Sequence, residues 1–218
     1  MPLLEFKNVS YESDGKTILD NISLSIDAGD CVSIMGPSGS GKSTLLRLCS
    51  HLISPTGGVI VYNGKSLEAY NPIQLRRSIA YCFQTPYLFG DTVLDNIKFP
   101  YAIRNLRVDQ NRVRDLFEMF GLTDDYLARD VKDLSGGEKQ RIAFIRSLLF
   151  RPKILLLDEI TSALDPENAA AVERVVKAEN EAGTTVLWVT HDPLQSGRVA
   201  DTQMIMEAGK LKSWEVLW

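Results

Sequence analysis

Between residues 4 and 62 the apolar positions fall at strand period. Leu4 to Val9 and Ile18 to Ile26 read as strands, with the turn signal Asp14-Gly15 between them. Asp27-Ala28-Gly29-Asp30 marks a second turn, and the apolar run Cys31-Val32-Ser33-Ile34-Met35 predicts the next strand. Gly57-Gly58 opens another, Val59-Ile60-Val61-Tyr62, which closes in the hairpin pair Asn63-Gly64. From about Leu88 to Phe150 the period lengthens: Val113, Leu116, Phe117 and Phe120 recur at helical spacing. Beyond that, strands and helices alternate. Ile154 to Leu157 predicts a strand, and Pro166 to Glu179 a helix with Asp165 as its N-cap and proline in first position. Thr184 to Val189 predicts a further strand, and Asp192-Pro193 opens another helix. Such alternation implies a parallel sheet with crossover helices. No repeat, low-complexity tract or long linker interrupts it.

Composition narrows the class. The chain has 218 residues, 44% hydrophobic and 24% charged, which suits one large domain or a core with a subdomain. A net charge of −4 argues against a nucleic-acid surface. The longest apolar runs, at Ile154–Leu157 and Thr185–Val189, are of strand length, far below the ~20 residues of a membrane helix. The opening Met1-Pro2-Leu3-Leu4-Glu5-Phe6-Lys7 lacks both the basic start and the apolar middle of a signal peptide. Cys31, Cys49 and Cys82 are far apart in apolar contexts, so reduced, buried, cytoplasmic thiols are expected rather than a disulfide or a metal site.

Against that background one octet carries chemistry: Gly36-Pro37-Ser38-Gly39-Ser40-Gly41-Lys42-Ser43, of the form G-x-x-x-x-G-K-S. The glycines let successive backbone N–H groups turn inward around phosphate oxygens with no Cβ in the way. Lys42 can reach the β- and γ-phosphates as a point charge, and the Ser43 hydroxyl suits a magnesium position. A strand precedes the loop and a helix from Lys42 to about Leu48 follows, so a helix N-terminus adds partial positive charge. That context separates the octet from a chance Gly-rich surface turn.

A second element lies downstream. Ile154-Leu155-Leu156-Leu157-Asp158-Glu159 is an apolar strand ending in two acids. The carboxyl end of a strand is where an open α/β sheet places its ligand. Asp158 is suited to help hold magnesium, and Glu159 to take a proton from, or orient, an attacking water. Alone, the pair reads as a solvated acidic turn; with a phosphate loop upstream, phosphoryl transfer needs both parts.

The third element is Leu134-Ser135-Gly136-Gly137-Glu138-Lys139-Gln140-Arg141, which opens a helix with Ile142, Ile145 and Leu149 on its inner face. Ser135 and Glu138 fit a capping box. Capping does not account for Gly136-Gly137, each of which costs about 1 kcal/mol against alanine inside a helix. A backbone that must lie close to a phosphate, at a helix N-terminus, does.

With these three elements the chain resembles the nucleotide-binding subunits of ATP-binding-cassette (ABC) transporters. Gly36–Thr44 resembles that family's first nucleotide motif, Leu134–Arg141 its signature motif, Ile154–Glu159 its second nucleotide motif, and Ser162-Ala163-Leu164-Asp165 its D-loop. Gln84 resembles the Q-loop glutamine, His191 the switch histidine, and Tyr11 the aromatic residue that stacks on adenine. The resemblance implies one ABC ATPase domain: a P-loop NTPase core with a parallel sheet and an N-terminal antiparallel β subdomain (about 1–84 and 151–218), and an α-helical subdomain (about 85–150). It further implies a head-to-tail homodimer with ATP and Mg2+. Each ATP would sit between one copy's loop, Gly36, Pro37, Ser38, Gly39, Ser40, Gly41, Lys42, Ser43 and Thr44, and the other copy's Ser135, Gly136 and Gly137. Glu159, His191 and Gln84 would be catalytic, and Ser43, Gln84 and Asp158 would serve the metal. Tyr11 on a strand also reads as a core aromatic, and His191 at a strand end as merely structural.

The family also implies an integral membrane partner, with this chain peripheral on the inner face of the cell membrane. Thr85-Pro86-Tyr87-Leu88-Phe89-Gly90 and Phe99-Pro100-Tyr101 read either as a satellite core under a loop or as the groove that receives that partner's helix. Ile160 stands where the commoner family pattern has proline. That departure, with Phe89-Gly90-Asp91-Thr92-Val93 and Val186-Leu187-Trp188-Val189-Thr190-His191, is similar to the ATPases of bacterial Fet-type iron exporters. Three other readings fit less of the chain. A soluble ABC ATPase acting on nucleic acid or ribosomes would carry coiled-coil insertions, paired cassettes or basic arms. A small-molecule kinase would have no use for Leu134–Arg141, and a non-hydrolysing module none for Glu159 and His191.

Overall fold

The computed structural model describes residues 1–217. In chain order its elements are β1 (Leu4–Ser13), β2 (Lys16–Ile26), β3 (Cys31–Met35), α1 (Lys42–Cys49), β4 (Gly57–Tyr62), β5 (Lys65–Ser66), α2 (Pro72–Ser78), β6 (Ile79–Cys82), α3 (Val93–Ala102), α4 (Gln110–Met119), α5 (Gly136–Leu148), β7 (Ile154–Asp158), α6 (Pro166–Glu181), β8 (Thr185–Val189), α7 (Pro193–Val199), β9 (Thr202–Glu207) and β10 (Lys210–Val216). Among the described residues two compact units result: residues 1–81, 152–159 and 179–217 form the first, and 82–151 with 160–178 the second.

The first unit holds two sheets. β2-β1-β4-β5 is antiparallel, and its hairpins follow from their turn pairs. Asp14-Gly15 and Asn63-Gly64 take positive φ at both positions, so each joins paired strands through two residues, Ser13 to Lys16 and Tyr62 to Lys65. The second sheet has the order β10-β9-β3-β8-β7-β6. β9, β3, β8 and β7 run parallel, and β10 closes the edge antiparallel. β7 and β8 are buried along their whole length, as parallel strands covered on both faces must be. One apolar cluster joins both sheets, including Leu4, Phe6 and Ile60 from the first, Ile34, Leu156 and Leu187 from the second, and Leu45 and Leu46 from α1.

This strand order sets where chemistry can sit. β3, β8 and β7 are neighbours and parallel, so their carboxyl ends open side by side. Those ends lead into Gly36, Thr190-His191 and Glu159 respectively.

The second unit is helical. Three of its helices begin at a side-chain cap: Thr92 for α3 and Ser135 for α5, both in complete capping boxes, and Asp109 for α4. Caps of this kind contribute about 1 kcal/mol each. Phe117, Phe120 and Phe144 are buried here, and the rings of Phe120 and Phe144 meet edge to face at 5.8 Å. Cys31, Cys49 and Cys82 are free and buried, as expected; burial pushes the Cys31 thiol up to about 12 and that of Cys82 to about 11.

Candidate nucleotide site

β3 ends at Met35 and α1 begins at Lys42, so residues 36–41 form the turn between them. Two of its glycines are forced by their neighbours. A Cβ at Gly36, φ +142°, would fall 2.0 Å from the Met206 carbonyl oxygen. One at Gly41, φ +99°, would fall 2.6 Å from Leu19 Cδ2 and 3.0 Å from the Ile18 carbonyl oxygen. Gly41 is also the residue at the N-cap of α1, where it brings no side chain to satisfy the first N–H groups. No acidic residue occupies the first turn of α1. The helix therefore presents unneutralised donors and the positive end of its dipole to the loop. Lys42 folds back over this turn, its Nζ donating to the carbonyls of Gly36 and Pro37 at 2.9 Å each. Burial pulls its pKa down, while the carboxylates of Glu159 and Asp158 push it back up. Ser40 Oγ is buried in the loop with no hydrogen-bond partner. An unsatisfied buried hydroxyl, a free helix N-terminus and a buried ammonium make a cradle that suits phosphate oxygens.

The acids at the end of β7 meet this loop. Ser43 Oγ donates to Asp158 Oδ1 at 2.9 Å, and the Tyr81 hydroxyl donates to Asp158 Oδ2 at 2.6 Å. Asp158 is only 5% exposed, and such a carboxylate needs both donors. Glu159 follows with φ +51°, a left-handed conformation unusual for a residue with a side chain. That strain, of order 1–3 kcal/mol, aims the carboxylate along the sheet edge. Its N–H donates to the Val189 carbonyl at 3.2 Å, and its Oε1 lies 2.8 Å from His191 Nε2. A carboxylate only accepts, so Nε2 carries the proton of that bond. The histidine is itself held from below. Thr190 Oγ1 accepts the Asp192 N–H at 3.1 Å and donates to Gln195 Oε1 at 2.7 Å, which fixes the turn that presents His191. Tyr11 lies on β1 in the same unit, half-buried and packed on the apolar cluster.

Gln84 and Ser135–Gly137 belong to the second unit, where Gln84 lies just beyond β6. Ser135 accepts the Glu138 N–H at 3.2 Å, and Glu138 Oε2 accepts the Ser135 N–H at 2.7 Å. Glu138 Oε1 accepts from the Tyr126 hydroxyl and lies 3.3 Å from Arg129 Nη1, while the Arg129 guanidinium stacks 3.9 Å from the Tyr126 ring centre. The Tyr126 hydrogen bond, then the Ser135 N–H, hold the Glu138 carboxyl down to about 2. A Cβ on Gly137 would come within 3.3 Å of Leu164 Cδ2, whereas one on Gly136 would meet nothing within 4 Å.

Comparison with known proteins accords with this geometry. The family model described as ABC transporter matches residues 19–162. The chain belongs to the ABC transporter family. It is 49% identical over 192 residues to the "Probable iron export ATP-binding protein FetA" of Escherichia coli (strain K12), covering 88% of this chain and 85% of that protein. It is also 36% identical over 222 residues to the phosphate import ATP-binding protein PstB 2 of Natronomonas pharaonis, covering 95% of this chain and 78% of that one. Among solved structures it matches a dimeric post-hydrolysis state of the ATP-binding cassette MJ0796 bound to ADP and Pi. That match has a TM-score of 0.87 and 30% identity, and covers 99% of both chains.

This chain is thus an ABC-type ATP-binding subunit and an ATPase. Several residues that hold candidate residues in place within each unit leave no signal in the sequence. Tyr81 is one tyrosine on a short strand. Gln195 sits inside α7, and Tyr126 in a 3₁₀ turn at Asp124–Ala128. Each acts through a hydrogen bond across many residues, which periodicity and motif spacing do not encode. Among the described residues no three His, Cys, Asp or Glu side chains gather to hold a metal. Ser43 and Asp158 are oxygen donors that this unit brings together and that could hold a cation.

Proposed function

We propose that two copies of this chain close head to tail over two ATP molecules, and that the closure drives a separate integral membrane subunit that exports iron or a chemically similar metal ion. The observation that carries the ATP reading is the convergence of Lys42, Ser43, Asp158, Glu159 and His191 at adjoining strand ends. On this reading Lys42 exchanges its two loop carbonyls for β- and γ-phosphate oxygens, and the N–H groups of α1 take the rest. Tyr11 stacks on the adenine. Magnesium, held by Ser43, Asp158 and Gln84, would neutralise charge developing on the phosphates. Glu159 accepts the proton of the attacking water, and His191 orients that carboxylate and contacts the γ-phosphate. Ser135, Gly136 and Gly137 of the second copy supply donors in trans, so the charge shell is complete only in the closed pair. The open space over Gly136 supports such an approach, since nothing within this chain demands a glycine there.

One observation supports the membrane partner and another the cargo. The second unit exposes Phe83, Tyr87 and Phe99, with Tyr87 at 74%, in the region that the family uses to receive its membrane subunit. On this reading the chain lies peripheral on the inner face of the cell membrane. Export of iron rests on the likeness to FetA. ATP-dependent Fe2+ uptake into everted vesicles that hold the chain with its co-purifying membrane protein tests it; vesicles that take up no Fe2+ remove the cargo assignment.

Ser135→Arg tests the trans contact within this reading. Arginine removes the hydroxyl that accepts the Glu138 N–H, and it adds positive charge where the helix dipole is already positive. A loss of about 1 kcal/mol of stability is expected from the missing cap. Phosphate release should fall to background while a fluorescent ATP analogue still binds with wild-type affinity. Undiminished turnover would contradict the model.

A further inference from the structure

Asp158 is held by more than its phosphate-loop partner. Ser43 takes Oδ1, and the Tyr81 hydroxyl takes Oδ2 at 2.6 Å, the short distance of a charge-assisted bond. Tyr81 lies on β6, which flanks β7 at the sheet edge, so its side chain reaches Asp158 on the neighbouring strand. A carboxylate only accepts, so the Tyr81 proton is committed to Asp158. Each oxygen of Asp158 is thus met by one hydroxyl donor, Ser43 on Oδ1 and Tyr81 on Oδ2.

We propose that Tyr81 is a positioning residue for the metal–nucleotide site: by pinning Asp158 Oδ2 it fixes the carboxylate so that Oδ1 stays on the Ser43 hydroxyl. Ser43 then spends its proton on Asp158, and its oxygen lone pairs remain for a cation. Without the Tyr81 hydroxyl the carboxylate rotates about its last bond, and cation binding must include the cost of ordering it again. The inference rests on the reading that Ser43 and Asp158 serve a metal bound with ATP.

Tyr81→Phe keeps the ring and removes only the hydroxyl. The probe is Mn2+, with free ion measured by electron paramagnetic resonance at saturating non-hydrolysable ATP analogue. Loss of one hydrogen bond to a charged group predicts Mn2+ binding weaker by ~10-fold or more. Affinity for the analogue in EDTA should stay at the wild-type value, a split that a space-filling role would not produce. Tyr81→Leu also lacks the hydroxyl and fills less space; it should shift Mn2+ binding the same way and decides the matter should Tyr81→Phe fail to fold. Wild-type Mn2+ affinity in Tyr81→Phe, or equal weakening with and without the metal, overturns the positioning role alone. A wild-type chain that holds no Mn2+ with the analogue overturns the metal-site reading and this inference with it.

Discussion

Replacing Glu159 by Gln is expected to lower steady-state ATP hydrolysis by ~10²–10⁴-fold while leaving ATP binding intact. Glutamine keeps the length and planarity of the side chain, and its amide oxygen still accepts from His191 Nε2, the bond that spans 2.8 Å in the wild type. It asks nothing new of the backbone, whose φ of +51° is equally costly for either residue. What it loses is the basic oxygen that takes a proton from water. ATP should then hold the closed pair together, because the step that opens it is blocked. Phosphate-release kinetics beside size-exclusion light scattering in ATP would check both halves. Unchanged hydrolysis would take Glu159 out of the base role.

Lys42→Ala should weaken ATP binding by ~10- to 100-fold, with hydrolysis lost in step. The ammonium sits over the loop on two carbonyls that any phosphate oxygen outbids, since a charged pair in a partly buried site is worth about 1.5–3 kcal/mol. Alanine leaves Gly36 and Pro37 with free carbonyls pointing at phosphate, so repulsion adds to the missing attraction. The fold should survive, because Lys42 tethers only its own loop. Titration of a fluorescent ATP analogue measures the loss. Wild-type affinity in this variant would mean that the loop N–H groups alone hold the nucleotide.

The parts of the structure that were legible share one property: their signal lies in residues close together in sequence. Asp14-Gly15 and Asn63-Gly64 announce their hairpins because both residues of each pair tolerate positive φ. Asp192-Pro193 announces α7, and Asp192 does accept the Leu194 N–H. The phosphate loop, the β7 acids and the Ser135–Glu138 box are equally local. The C-terminal hairpin of β9 and β10 was not, since its turn places Ala208, a residue with no turn preference, at φ +48° ahead of Gly209. There the tertiary pairing of Glu207 with Lys210 overrides local preference. α2 went unread although Asn71-Pro72 carries the same cap-and-proline signal as Asp192-Pro193, and Asn71 accepts from the N–H groups of Ile73 and Gln74. The site's supports were hidden for another reason. Tyr81 reaches Asp158 across 77 positions, and Tyr126 reaches Glu138 from a 3₁₀ turn, contacts that only the fold creates.

The aromatic loop shows both effects. Its apolar character is plain in the sequence, but not what keeps it in place. Asn96 is fully buried and holds both the N–H and the carbonyl of Phe89, while Arg146 from α5 donates to Asn96 and to the Tyr87 carbonyl. The helix that begins with Ser135 is therefore tied to the segment that exposes Tyr87.

Mixing two inactive variants gives the most direct test of a nucleotide shared between two copies. Ser135→Arg retains a sound loop at Lys42, and Lys42→Ala retains a sound Ser135. A mixed pair has one whole site and one doubly damaged one. The account predicts no turnover from either variant alone, and on mixing a return of phosphate release toward the share expected for one working site in each mixed pair. A mixture as silent as its components, or either variant active by itself, would contradict it.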